Sequence, residues 1–562
     1  MTRQAPRHAM MPVPLPRYAA PAASPAAQGF QPKLLAWSLA AAFMVHHAHT
    51  AAQPVGAQVI AGQAQFQAQG NNLLVTTQNA PGKQHSTINW QSFNVPVGST
   101  THFQQPSANS TSINRVTAPN PSSIMGNLGS NGHLVLVNPA GIAVGAGAVV
   151  DTARFTAAAM QMNDTDAIAG RLRFEGGAAV DAFGRVLART GDVVLLAPNV
   201  TVQPGALIQA PNGSVMLAAG QKVELVSPGL EGLRFEVQAP ADQALNLGTL
   251  KGNVVGMFAG NLRHSGQIEV QAVQDDGGRI RLVAKDAAQI DGQATTRRLE
   301  RLGGLFHATG QTVAVGGTTR VDASGEAGGG EILIGGGWQG KDARLANAQT
   351  TLVARGAVLD ASATDSGHGG TVVAWADDHT TFQGQVLARG GEQGGDGGRV
   401  ETSGKQTLDA RGARVDTRAP MGRTGDWLLD PTVIDIQGGC LPPAPCPPAS
   451  PVPSPSPATV YEADLEASLT NVTLSATESI GVNGTFTDHK IVMQPNVSLR
   501  METTTNIGDG ISLMNSTGGR PIGITTSGTG GFELVAAGGS IVINNSANTA
   551  AVATTLESGS GG

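Results

Sequence analysis

Apolar and polar positions along this chain alternate in short bursts separated by glycine- or asparagine-rich turns. In "NNLLVTTQ" (71–78) and "HSTINWQSFNVPVGSTTHFQQP" (85–106) the alternation has the period of a strand with one buried face. A turn followed by four or five strand residues then recurs. It appears in "GDVVLLAP" (191–198), "NGSVMLAAG" (212–220), "GGRIRLVAKD" (277–286), "GGEILIGGG" (329–337), "GGTVVAWAD" (369–377), "GGRVETSG" (397–404) and "GDWLLDPTVIDI" (425–436). In "SNGHLVLVNPAGIAVGAGAVVD" (130–151) a strand stops at Asn138-Pro139-Ala140-Gly141 and resumes at Ile142 with no hairpin partner beside it. A chain that turns a corner and continues as strand pairs with its equivalent one coil further on, about 4.8 Å along the axis. The pattern predicts a parallel β-helix of roughly 22 residues per coil, about 17 coils over 60–430 and roughly 80 Å of stack. Trp90, Phe93 and Phe103 mark its N-terminal cap. At the corner, Asn138 is expected to satisfy backbone groups and to stack on Asn side chains of adjacent coils. An antiparallel sandwich is the rival, but Asn-Gly hairpins at two-residue spacing are not consistently present.

Composition agrees. Only 14% of the 562 residues are charged, 75 are glycine and 4% are aromatic, so small and β-branched residues dominate, which suits pleated strands and tight turns. A net charge of −6 excludes a broadly basic nucleic-acid surface. The two cysteines, Cys440 and Cys446 in "CLPPAPCPP", either close one small disulfide loop in an oxidising compartment or stay unpaired in a linker. Two cysteines without a histidine cluster do not make a structural zinc site.

The ends of the chain differ from its middle. Arg3, Arg7, Arg17 and Lys33 precede the apolar run "LLAWSLAAAFMV" (34–45) and an alanine-rich exit. That order reads residues 1–55 as an extended signal-peptide region, its apolar core too short for a bilayer span. A Pro/Ser-rich stretch at 438–458 reads as a linker or protruding loop. "YEADLEASL" (461–469) is the best short-helix candidate, and strand-like repeats resume over 459–562.

Candidate chemistry is sparse. Polysaccharide-active enzymes on this fold need clustered carboxylates on one exposed face. Asp377, Asp378 and His379, and Asp275 with Asp276, are adjacent residues that point to opposite faces of a strand, so turns account for them. Arg297, Arg298 and Arg301 form the one basic concentration, either a contact for anionic glycans or a solvated loop. Neither catalytic residues, nor a cofactor, nor a metal are expected.

"INWQSFNV" (88–95), "INRVTAPNPSSIMGNLGSNGHLVLVNPAGIAVGAGAVVD" (113–151) and "PNGSVMLAAG" (211–220) resemble the haemagglutination-activity domain. That domain opens the filamentous haemagglutinins and other exoproteins of two-partner secretion in Gram-negative bacteria. "GGDGGRVETSGKQTLDARGARVDT" (394–417) and "GDWLLDPTVIDI" are similar to the high-molecular-weight adhesin branch. The resemblance implies an all-β, right-handed parallel β-helix with an N-terminal cap. It implies a secretion domain over 56–300, continuing repeats over 301–437, and export past the POTRA domains of an outer-membrane β-barrel transporter to the cell surface. It assigns a secretion role to Asn114, Arg115, Asn138, Pro139, Gly141 and Ile142, with Ala140 departing from the family's Asn-Pro-Asn-Gly-Ile. "NPSSI" (120–124) stands where some members carry a second Asn-Pro motif. The expected function is a non-catalytic adhesin that binds a host or neighbouring-cell receptor or glycan. The alternatives are a β-helical polysaccharide-active enzyme, or the N-terminal part of a haem-acquisition protein or contact-dependent toxin.

Overall fold

The computed structural model describes residues 53–237, 241–270, 278–438, 458–484, 486, 489–505, 510–515, 522–537, 540–542 and 556–557. The expected signal region lies almost wholly outside these residues, as do Cys440, Cys446, Asp275, Asp276 and nearly all of the 438–458 linker.

Strand partners are coil neighbours. His85–Trp90 pairs in parallel with Thr111–Val116, Ile113 then lies opposite Val135, and Val135 opposite Thr156. Repeated around three sides, this pairing joins 41 strands of the described residues into one sheet wound as a parallel β-helix. The register aligns like with like along the axis. On the first side Val150, Val186, Ile208, Leu250, Ile268, Ala294, Val321, Leu359, Val386 and Val415 form one unbroken buried column. Burying each large aliphatic side chain contributes about 1.5–3 kcal/mol, largely offset by the entropy of ordering the chain. A slip of one residue would turn that column outward, so the pattern enforces the register.

The recurring Gly-Gly ahead of the second-side strands has a steric cause. A Cβ on Gly304 would overlap the carbonyl oxygen of Gly278. The same clash repeats upward for Gly330 on Gly304, Gly370 on Gly330, Gly398 on Gly370 and Gly425 on Gly398. The corner therefore closes only if every coil contributes a glycine at that point.

Coil length departs from the expected 22 residues. First-side strands begin at 72, 100, 127, 149, 185, 207, 249, 267, 293, 320, 358, 385 and 414. The coils are fewer and mostly longer than the motif spacing implied, because corners carry excursions that the motif spacing does not count. One holds helix α1 (Asp164–Ala169) and strand Leu172–Glu175. Another holds Lys222–Leu225 and Leu233–Glu236, which pair with Leu172–Glu175 as a three-stranded antiparallel sheet. A third, residues 335–349, wraps over strands Glu331–Ile334 and Thr371–Ala376.

The cap is also more specific than three aromatics. Trp90, Phe93 and Phe103 are core residues of the first coils. The capping itself is antiparallel: Gln58–Ala61 covers His85–Trp90, and Gln63–Gln69 covers Asn72–Gln78. Near the other end the chain order breaks. Thr459 pairs with both Asp409 and Asp435, so Ala458–Tyr461 lies between two strands that precede it in sequence. The expected short helix follows as α2 (Glu462–Glu466).

Candidate functional site

The residues singled out for secretion come together at one corner. Strand Thr111–Val116 lies beneath 133–137, with Asn114 opposite Leu136 and Arg115 opposite Val137. The two sequence motifs, 24 residues apart at Asn114 and Asn138, therefore occupy adjacent coils.

Asn138 is fully buried and uses its whole amide. Its Nδ2 donates to the Asn120 carbonyl and to Ser122 Oγ, each at 2.9 Å, while Oδ1 accepts from the Ala140 backbone N–H at 3.0 Å. The expected stacking of Asn amides is thus replaced by a bond to the carbonyl of Asn120. The "NPSSI" corner lies one coil below, joined again by the Ser122 N–H donating to the Gly141 carbonyl at 2.9 Å. Gly141 has φ +121°, a conformation that side chains rarely adopt, although space for a Cβ exists. Pro139 sets the turn's φ, and Ile142 opens the next strand as a core residue between Ser122 and Val180.

Asn114 points inward, accepts from Trp90 Nε1 at 3.0 Å and donates to Ser112. It joins the cap aromatics to the second coil. Arg115 points outward and meets Asp164 of α1 at 2.7 Å, an ion contact without aligned hydrogen-bond geometry. This helix has no counterpart among the elements expected from the sequence, although its signals are present. Asn163 caps it by accepting from the Asp166 N–H at 2.8 Å, and Gly170 ends it at φ +73°. Thr87 Oγ1 donates to the Ala167 carbonyl at 2.9 Å and fastens the helix to the coil below. Burial opposes ionisation of Asp166, but hydrogen bonds from Arg171 and Asn163 prevail and hold its carboxyl below the usual range.

α1 and the three-stranded sheet cover a second core on the outside of the helix. Phe174 and Val223 press on Ile113, Val135, Val137, Leu196, Met216 and Phe258. This explains why Val193–Ala197 is buried on both faces, which alternation alone does not predict. The sheet's other face carries two charge rows in register, Arg173–Glu224–Arg234 and Glu175–Lys222–Glu236. Opposite charges face each other across strands, with Arg173 Nε donating to Glu224 at 2.7 Å. A shallow hollow of about 400 Å³ lies over these rows.

The remaining candidates are scattered. Asp377 accepts from Trp375 Nε1 at 3.1 Å and Asn347 Nδ2 at 3.0 Å, pinning the 335–349 excursion, while His379 bonds Thr407 and Thr381. Arg297, Arg298 and Arg301 lie on a corner loop beside exposed Leu299 and Leu302. Among the described residues no three His, Cys, Asp or Glu side chains converge to hold a metal ion. No helix among them is long and apolar enough to cross a membrane.

Residues 51–328 match the TPS secretion domain family. A Heme/hemopexin-binding protein of Haemophilus influenzae is 30% identical over 180 residues, which is 30% of this chain and 19% of that protein's length. A second protein of that name from the same species is 35% identical over 72 residues, 13% of this chain and 8% of the relative. The HMW1 secretion domain from Haemophilus influenzae superposes with a TM-score of 0.58 at 27% identity, covering 67% of this chain and 100% of that one. The corner at Asn138 lies inside the matched stretch.

Proposed function

The chain is a member of the two-partner secretion exoprotein family, with its TPS secretion domain at residues 51–328; from that premise we propose that it is an adhesin exported across the outer membrane of a Gram-negative bacterium. Its partner in export is a β-barrel transporter whose periplasmic POTRA domains receive the chain. Its destination is the cell surface or the medium, where it binds a host or neighbouring-cell receptor or glycan without catalysis. The observation that carries this reading is the match of the secretion domain, supported by the Asn138 corner that binds two coils together. Within the proposal, residues 56–300 serve secretion and 301–437 extend the stem.

The proposed export mechanism is coil-by-coil folding outside the cell. Each added coil buries its column residues and bonds to the coil before it, so the emerging chain is disfavoured from sliding back. Asn138 and Gly141 act in this mechanism by closing an early corner on which later coils stack. The test is expression of the full chain with and without the transporter, followed by binding of the secreted product to epithelial cells. Loss of secretion without the transporter and saturable cell binding are expected. Secretion that is indifferent to the transporter overturns the export reading, and a secreted product that binds no cells overturns the adhesin.

A second reading, heme or hemopexin binding, takes its support from the similarity to the Heme/hemopexin-binding proteins of Haemophilus influenzae. Among the described residues, His264 is buried, His133 is half-buried, and both are hydrogen-bonded within the coils. A Soret shift on titrating the secreted protein with hemin would favour this reading over adhesion.

A further inference from the structure

The 335–349 excursion is held rigidly around one indole. Trp375 lies beneath Gly336 and Gly340, where any Cβ would strike its ring, and its Nε1 donates to Asp377, which also accepts from Asn347. Asn347 Nδ2 in turn donates to the Gly340 carbonyl at 2.9 Å. The Gln339 N–H donates to buried Glu401 at 2.7 Å, from a residue held at φ +52°. With its backbone fixed in this way, the excursion raises Trp338, Lys341, Asp342 and Arg344 above the in-register row Glu331–Thr371–Arg399. Between them is a cup of about 230 Å³.

The charges in this cup do not cancel. Arg344 Nη2 is engaged by Asp342 at 2.5 Å and by Glu331 at 3.3 Å, and Glu331 is also bonded to His307 at 2.7 Å. The bond from His307 outweighs burial and holds Glu331 below the usual carboxyl range. Lys341 Nζ donates to Gln339 Oε1 at 3.0 Å and lies near Glu401 and Asp430. Among the described residues no carboxylate is within ion-pair distance of Arg399, although Asp426 follows it in register on the next coil. Its guanidinium lies over the Trp338 ring at 5.0 Å, and Nε reaches Thr371 Oγ1 at 3.4 Å. A guanidinium stacked on an indole keeps its N–H edge free and oriented, the arrangement that takes a carboxylate in two parallel bonds. Glu331 and Asp342 retain lone pairs for hydroxyl donors, while Leu333 and Trp338 add apolar surface.

The geometry points to this cup as a binding site for one acidic sugar ring of hexuronate type. The sugar carboxylate pairs with Arg399, and its hydroxyls donate to Glu331 and Asp342. The volume fits a single ring, and an anion suits Arg399, whose guanidinium makes no ion pair while Glu331, Asp342 and Arg344 are already paired. The assignment does not depend on whether the chain adheres to cells, since it concerns direct binding to the purified protein.

The test is calorimetric titration of the full secreted chain with glucuronate, with a glucuronate-terminated oligosaccharide, and with glucose, acetate and sulfate as controls. Glucuronate is expected to bind with glucose at least about tenfold weaker. Tighter binding of the oligosaccharide identifies a glycan terminus as the source, and equal binding identifies the free sugar. Arg399→Lys keeps the charge but loses the fork and is expected to weaken binding about tenfold. Trp338→Leu is expected to do the same by freeing the guanidinium, while Arg173→Ala on the outer three-stranded sheet, several coils away, leaves binding unchanged. Circular dichroism confirms that each variant is folded. Equal binding of glucose or sulfate, no binding of glucuronate, or full binding by Arg399→Lys overturns the assignment.

Discussion

At the scale of single residues, the corner at Asn138 concentrates the cost of error. Gly141→Val places a β-branched side chain at φ +121°, where the strain is about 1–3 kcal/mol. Secretion of this variant should fall, with the chain accumulating in the periplasm. Gly141→Ala should be similarly strained, because the neighbouring atoms leave room for a Cβ and the backbone alone objects. Asn138→Ala strands the Asn120 carbonyl, Ser122 and the Ala140 N–H, and should cost roughly 2 kcal/mol in denaturant titration. Two histidines packed within the coils set an acid limit. Burial and the charge of Arg154 lower His133 to about 3, and burial lowers His264 to about 4, against 6.5 when exposed. The unfolded chain therefore binds more protons below pH 6.5, and stability present above that value is lost as pH falls toward 4. Fully buried His264 contributes on the order of 3 kcal/mol of that loss by pH 4. His264→Gln should flatten the acid limb, as read from melting temperature against pH. Glu401 acts in the other direction: burial raises it to about 7, so the stability it contributes below pH 4.5 is lost as pH rises through 7.

At the scale of elements, the repeated turn and the added excursions follow different rules. The Gly-Gly column was visible in the sequence as a recurring dipeptide, but its cause is contact between coils. Gly370→Ala should destabilise more than a glycine-to-alanine change on an open turn of ordinary φ such as Gly147, since only Gly370 meets a carbonyl from the coil below. Comparing the two melting shifts checks this. α1 has clear capping signals in Asn163 and Gly170, whereas its docking through Arg115 and Thr87 depends on residues far away in sequence. The Arg115–Asp164 contact is largely exposed on the Asp164 side, so Asp164→Ala should cost only a few tenths of a kcal/mol. Removing Arg115, which is mostly buried, should loosen α1 enough to show as faster proteolysis near residues 163–175.

At the scale of the molecule, an open helix end is a sheet edge available to other chains. Gln58–Ala61 and Gln63–Gln69 close that edge over the first two sides. Deleting residues 53–71 should therefore produce aggregation, measured by light scattering at a concentration where the full chain stays dispersed. The strand Ala458–Tyr461 ties the last coils to the body by filling a place between earlier strands. Thr459→Pro removes a backbone donor from a strand paired on both sides, and hydrogen exchange should then rise beyond residue 433 while the coils before 400 stay protected.

The period-two alternation, the glycine corners and the Asn-Pro turns determined by themselves that the chain winds as stacked strands, because each is a local rule of backbone and side-chain geometry. They also placed Asn138 at a corner, whereas Asn114 and Arg115 stood out only through the family resemblance. Only the tertiary structure decided which coil meets which, since pairing partners are set by the length of chain between them. That length is altered by excursions such as 163–178 and 335–349, whose own sequences follow no repeat. The outer core under Phe174, the insertion of Ala458–Tyr461 between older strands, and the open guanidinium of Arg399 all arise from contacts between residues dozens of positions apart. No local pattern encodes such contacts, because their energy exists only once the coils are stacked.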